Sequence, residues 1–139
     1  MTLELLINLD VPDLEAATRF YVEAFGFRVG RRLGDAGTEL LGAGVPLYLL
    51  PKAAGSDATP GAAARRSYAR HWTPLHLDIV VADIHRALER ALAAGARAEA
   101  ELSEHDWGYM VPLTDPFGHG VCLLQMKPGG YDAITTGQG

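Results

Sequence analysis

Cysteine is nearly absent: Cys122 is the single one among 139 residues. That excludes an intramolecular disulfide and any zinc site built from several thiolates. Long apolar runs are absent too, and none approaches the roughly 20 residues needed to span a bilayer. Residues 1–11 carry Glu4 and Asp10 and have no basic start, so no secretory leader is expected and a cytoplasmic location is the expectation. Positive charge is scarce, with 12 Lys and Arg against 17 Asp and Glu and a net charge of −5. No basic stripe exists to neutralise phosphates, which argues against nucleic-acid and anionic-membrane partners. The densest cationic group, Arg65, Arg66 and Arg70, falls within one loop and is too small for a DNA-binding surface.

What is present is the composition of a folded globular chain, 48% hydrophobic and 21% charged, long enough for one domain with a real core. Residues 3–11 are β-rich and end at Pro12. Leu14, Ala17, Tyr21 and Phe25 then recur at helical spacing behind Asp13, a predicted N-cap, and Gly26 stops the helix. Extended segments are predicted at 27–33, 38–41 and 45–51, separated by Gly-rich turns at 34–37 and 42–44. Residues 53–72 form a long Ala-, Gly-, Ser- and Pro-rich loop, in which 62–70 is a candidate helical turn.

The pattern then repeats. Residues 75–81 read as a strand, Asp83 as an N-cap, and Ile84, Ala87, Leu88, Ala91 and Leu92 as the apolar face of a second helix closed by Gly95. Extended segments are predicted at 97–102, 107–113 and 119–126. The last two are joined by Asp115-Pro116-Phe117-Gly118, a type I turn signal with Asp at position i, Pro at i+1 and Gly at i+3. Residues 128–139 read as a Gly-rich, flexible tail. Asp13 and Asp83 stand 70 residues apart, as do Leu6 and His76, and Leu14 and Ile84. Two tandem βαβββ units account for nearly the whole chain, and each leaves an apolar sheet face that needs a partner.

Several motifs resemble one family. Val11-Pro12-Asp13-Leu14-Glu15, followed by Phe20-Tyr21 and Phe25-Gly26-Phe27, is similar to the opening of glyoxalase/bleomycin-resistance/dioxygenase proteins, the vicinal-oxygen-chelate superfamily. Asp115-Pro116-Phe117-Gly118-His119 resembles the turn before that family's last strand, and Trp107-Gly108 is similar to bleomycin-resistance-type members. The resemblance spans about residues 3–127. It implies an α+β fold of two βαβββ modules whose curled mixed sheets form a half-barrel around a cavity. The chain 1–139 is then a single domain: N-terminal module about 3–52, loop 53–72, C-terminal module about 73–127, tail 128–139. The resemblance also implies a homodimer.

Many members hold a divalent metal with His, Glu or Gln ligands from the two modules. The equivalent positions fall here on Leu6, at or beside Tyr48, on His76 and on Cys122. Leucine has no donor and tyrosine is an uncommon ligand, so two credible donors of mixed softness remain, too few for a stable zinc site and unsuited to Mg²⁺ or Mn²⁺. The expectation is therefore no metal and no cofactor, with a divalent metal as the minor alternative.

The leading expected function is binding of a small organic molecule in the cavity, of a sequestration or resistance type. The alternative is a lyase, isomerase or dioxygenase using a reduced metal site or acid/base chemistry at His76. His76 is either a hydrogen-bonded remnant or a general acid/base, and Asp78 lies two residues on along the same face. Cys122 is either an inert thiol or a nucleophile paired with His76. Asn8, Tyr48, Trp107 and Tyr109 suit an apolar pocket with polar tips, with core packing as the alternative for the aromatics. Arg65, Arg66, Tyr68, Arg70, His71 and Trp72 form either a solvated loop or a lid, with Trp72 and Tyr68 covering the ligand. Phe20, Tyr21 and Phe25 read as core, and Glu99, Glu101, Glu104 and Asp106 as a solvated acidic edge.

Overall fold

The computed structural model describes residues 2–61 and 63–137. The chain divides into two compact units, Met1–Ala69 and Arg70–Gly139. The first runs β1 (Ile7–Val11), α1 (Leu14–Phe25), β2 (Arg28–Arg32), a 3₁₀ turn (Gly34–Ala36), β3 (Thr38–Leu41) and β4 (Leu47–Pro51). The second runs β5 (Leu77–Val80), α2 (Ile84–Ala94), β6 (Arg97–Ala98), β7 (Ser103–His105), β8 (Gly108–Thr114), β9 (Gly120–Met126) and a 3₁₀ turn (Gly130–Ile134).

Both helices are set by the same local chemistry. The Asp13 carboxylate accepts from Ala16 N–H and Asp83 from Arg86 N–H, each satisfying a donor that the first helical turn leaves open. Gly26 (φ 83°) and Gly95 (φ 118°) close them in the left-handed region, which a side chain would resist.

The sheets share one plan. The first has the order β1-β4-β3-β2, with β1 and β4 parallel; the second has β5-β9-β8-β6, with β5 and β9 parallel and β7 added beside β8. The 70-residue repeat read from the sequence is thus an α+β tandem of βαβββ modules. In the first unit α1 packs on β4, β3 and β2. There Val11, Leu40, Leu47 and Leu49 meet Ala17, Phe20, Tyr21 and Ala24, all buried, with Phe20 and Tyr21 edge to face at 5.2 Å. In the second, Ile84 and Ala91 of α2 share the core with Val111, Leu113, Val121 and Leu123. Leu92, expected on that apolar face, is 43% exposed. Among the described residues no helix is long and apolar enough to cross a membrane.

Four expectations change. The strand foreseen at 3–11 pairs only from Ile7, and Leu3, Leu5 and Leu6 are exposed. No helical turn forms at 63–70; residue 62 lies outside the described residues. Instead the segment doubles back on 53–58, with Gly55 N–H donating to Arg66 C=O, Arg66 N–H to Ser56 C=O, and Ala58 N–H to Ala64 C=O. The strand expected at 97–102 is cut to two residues, and a further edge strand, β7, follows it. Its sequence, Ser-Glu-His, lacks the β-branched and aromatic residues that mark strands. Within the tail a 3₁₀ turn stands at Gly130–Ile134, an element the sequence did not suggest; residues 138 and 139 lie outside the described residues.

Candidate functional site

Strand alternation gives each sheet one face toward its helix and one face away. On the away face of the first unit, Asn8, Tyr48 and Glu39 are lateral neighbours across β1, β4 and β3. Asn8 is exposed, as a ligand contact requires. Tyr48 is buried and committed: its hydroxyl donates to Glu39 Oε2 at 2.5 Å and accepts from Arg31 Nη2 at 2.8 Å. Arg31 clasps the Glu39 carboxylate through Nε (3.3 and 3.1 Å) and Nη2 (2.8 Å), and its backbone N–H adds a bond at 2.9 Å. An irregularity in register between Val29 and Arg32 brings Arg31 to this face. Gly30 leaves the room, because a Cβ there would lie 2.5 Å from Glu39 Oε1.

Arg31 and then Tyr48, as hydrogen-bond donors, hold the Glu39 carboxyl down to about 2. The same carboxylate, followed by burial, pushes the Tyr48 hydroxyl up, so it keeps its proton. Sequence reading missed Arg31 and Glu39. The signal for Glu39 was present, a carboxylate in the otherwise apolar strand Thr-Glu-Leu-Leu; the register irregularity that delivers Arg31 has no sequence mark.

The loop is tied to the same unit. Arg66 Nε donates to Asp10 Oδ2 at 2.8 Å, and the Tyr68 hydroxyl donates to Lys52 C=O at 2.7 Å. Burial, then the Asp10 charge, pushes the Tyr68 hydroxyl up.

On the away face of the second unit, Asp78 and Cys122 are register partners on the parallel strands β5 and β9. His76 stands just before β5 and reaches along the strand, placing Nε2 3.2 Å from Asp78 Oδ1. The 7 Å between alternate Cα atoms left this contact open in the sequence; the length of the imidazole closes it. One nitrogen of His76, one oxygen of Asp78 and the sulfur of Cys122 all lie within 4.8 Å of one another. Burial, followed by the negative charge and hydrogen bond of Asp78, pushes the Cys122 thiol up, which disfavours a thiolate nucleophile. Two residues back along β9, a Cβ at Gly120 would lie 2.5 Å from Arg70 Nη2, so Arg70 rests on the face that carries Cys122. Arg70 is fixed by Glu99 through Nε (2.8 Å) and Nη2 (3.1 Å). Glu99, read as part of a solvated edge, is exposed and also anchors this arginine.

The aromatic candidates do not join this cluster. Tyr109 has the parity of Val111 and Leu113 and pairs with Gln125, whose side chain accepts from Ile84 N–H at the start of α2. It therefore lies on the helix-side face, opposite Cys122, with Lys127 Nζ 5.3 Å from its ring. Trp107 falls in the turn between β7 and β8, stacked on His105 at 5.1 Å and beside Tyr131 at 5.4 Å. It is five residues along the chain from Pro112, the register partner of Cys122, or about 16 Å at strand rise. Trp72 is 80% exposed, and Tyr68 is tied to Lys52 within the first unit.

The four-donor metal arrangement implied by the resemblance does not fit these side chains. Leu6 offers no donor, and the Tyr48 hydroxyl is protonated and already bonded on both sides. Among the described residues, the cluster of three such donors is His76, Asp78 and Cys122, in the second unit.

No curated protein sequence matches the chain. Solved structures do. The fosfomycin resistance protein FosX from Listeria monocytogenes superposes with a TM-score of 0.70 at 19% identity, over 93% of this chain and 94% of that one. A glyoxalase-related enzyme from Fulvimarina pelagi gives 0.69 at 21%, over 92% and 90%. TnmS3, an antibiotic binding protein from Streptomyces sp. CB03234, gives 0.64 at 22%, over 91% and 98%. At such identities these likenesses establish the fold alone. The family model described as a glyoxalase-like domain matches residues 6–124, and with the tandem βαβββ fold this places the chain in the glyoxalase/bleomycin-resistance/dioxygenase family of the vicinal-oxygen-chelate superfamily.

Proposed function

We propose that this protein binds a small organic molecule without the help of a family-type metal, in a sequestration or resistance role. The observation that carries the reading is the state of Tyr48. Where the resemblance sets a ligand, the side chain is locked between Glu39 and Arg31, while Asn8 beside it stays exposed with both donor and acceptor capacity. A polar contact thus stands on a face where the ligand positions set by the resemblance carry Leu6, which has no donor, and Tyr48, which is already bonded. TnmS3 shows that the fold can serve antibiotic binding. We further propose a cytoplasmic homodimer, since Leu3, Leu5 and Leu6 in one unit and Trp72, Leu75 and Val80 in the other expose apolar surface that association would cover.

The test is a thermal-shift screen of chelator-treated protein against aldehydes, aromatic acids and glycopeptide drugs. A ligand at 100 times its Kd adds about 2.7 kcal/mol to apparent stability. A hit that survives chelator and is weakened by Asn8→Leu supports the reading; hits that require added metal overturn it.

The His76–Asp78 contact favours a second reading, a lyase-, isomerase- or dioxygenase-type enzyme in which the imidazole moves a proton while the carboxylate orients it. Once a substrate is in hand, His76→Ala should lower kcat by about 10²–10⁴-fold; unchanged turnover removes this reading.

A further inference from the structure

We infer that Arg31 and Asn8 form a subsite for a carbonyl-type oxygen of the bound molecule (an amide, a ketone or a single carboxylate), with Arg31 Nη1 as the principal donor. The inference deepens the proposed function and rests on it, because it gives the chemical class of the ligand. The side chain of Arg31 is 73% exposed, yet its geometry is fixed. Nε and Nη2 both bond the Glu39 carboxylate, Nη2 also donates to the Tyr48 hydroxyl, and the backbone N–H of Arg31 donates to Glu39 as well. Nη1 has no partner among the described residues, so its two N–H groups stand at the exposed end of a clamped fork. An exposed arginine is ordinarily mobile and loses rotamer freedom when it binds; here that ordering precedes the ligand.

The surroundings set the class of ligand. Glu39 stays ionised, held down to about 2, so the arginine charge is balanced where it stands. A balanced guanidinium still offers strong N–H donors but has little net attraction for a multiply charged anion. It therefore selects a neutral or singly charged oxygen over a phosphate. Asn8 is the register neighbour of Tyr48, about 4.8 Å away across the sheet, and its exposed amide has no partner among the described residues. Half-buried Leu41 and Leu50 lie on the same face: a Cβ on Gly30 would meet both Glu39 and Leu41, and Leu50 has the parity of Tyr48 along β4. Polar groups thus stand beside an apolar floor, as the binding of a small organic molecule requires. The device that aims Arg31 is costly, since the ladder is irregular between Val29 and Arg32 and the buried Glu39 carboxylate gives up its hydration. An apolar residue in place of Glu39 would fill the strand without that loss. What the charged pair adds is a fixed donor edge on the open face.

Three probes that share one apolar body test it on the chelator-treated full chain: 2-naphthamide, 2-naphthoate and 2-ethylnaphthalene, with Kd read from the fluorescence anisotropy of the naphthyl ring. The amide and the carboxylate should bind about tenfold or more tighter than the hydrocarbon, which offers no acceptor. Arg31→Met should erase that preference, weakening the two carbonyl probes about tenfold while the Kd of 2-ethylnaphthalene stays as it was. Removing Arg31 leaves Glu39 buried without its cation; if that variant melts early, the double variant Arg31→Met with Glu39→Gln, which leaves no charge there, replaces it. Equal affinity of the wild type for all three probes overturns the inference, as does the absence of saturable binding by any of them. A variant that weakens all three alike also overturns it, because a merely structural role for Arg31 would do so. The thermal-shift screen separates this inference from the reading on which it rests. Metal-free hits that keep full affinity for the Arg31 variant sink the carbonyl subsite alone, and Arg31-dependent probe binding that appears only with added metal sinks the proposed function alone.

Discussion

Glu39 is the residue on which the first unit's open face turns. Its carboxylate is buried, receives donors from Arg31 and Tyr48, and is held down to about 2 from an ordinary 4.5. A depressed carboxyl contributes stability above its unfolded value and loses it as pH falls through the folded one. The wild-type melting temperature should therefore drop between pH 4.5 and about 2 by more than that of Glu39→Gln, which has no carboxylate to protonate there. Parallel melting curves for the two proteins across that window would contradict the network as drawn. At neutral pH the order reverses: Glu39→Gln is the less stable protein, because the charged Arg31 fork loses its partner. This residue was half-legible in sequence, as a charge in an apolar strand. Its partner was not, since a bulge decides which way Arg31 points.

At the scale of elements, local chemistry is repeated and therefore testable twice. Asp13→Ala and Asp83→Ala each remove a side-chain acceptor from a helix start and should each cost about 1 kcal/mol in denaturant unfolding. Equal stability in either variant would show that the cap adds nothing there. The β8–β9 ladder depends on Gly108 for a different reason. A Cβ there would run into the Gln125 carbonyl oxygen and the Met126 backbone, neither of which can swing aside. Gly108→Ala should cost about 1–3 kcal/mol by overpacking, read from the denaturant midpoint. Caps, helices and the Asp115 turn were legible because their causes lie within four residues; Asp115 Oδ1 accepts from both Phe117 N–H and His119 N–H, as an Asp at position i should. The strand β7 was not, because it owes its existence to its pairing with β8 rather than to its own residues.

For the whole molecule, the exposed apolar residues of both units predict self-association. Sedimentation equilibrium should return twice the chain mass, and Leu5→Asp should shift the population toward monomer. A wild-type chain that stays monomeric at high micromolar concentration removes the dimer from the proposal. The family, the tandem modules and the caps at Asp13 and Asp83 were determined by sequence alone, because periodicity and turn chemistry act over short stretches that the chain carries with it. Tertiary structure alone decided that His76, Asp78 and Cys122 meet, that Tyr48 is bound to Glu39 and Arg31, and that Tyr109 and Trp107 stand elsewhere. Those outcomes depend on strand register and sheet face, and a shift of one residue in register reverses every side chain, a choice that only the packed sheet makes.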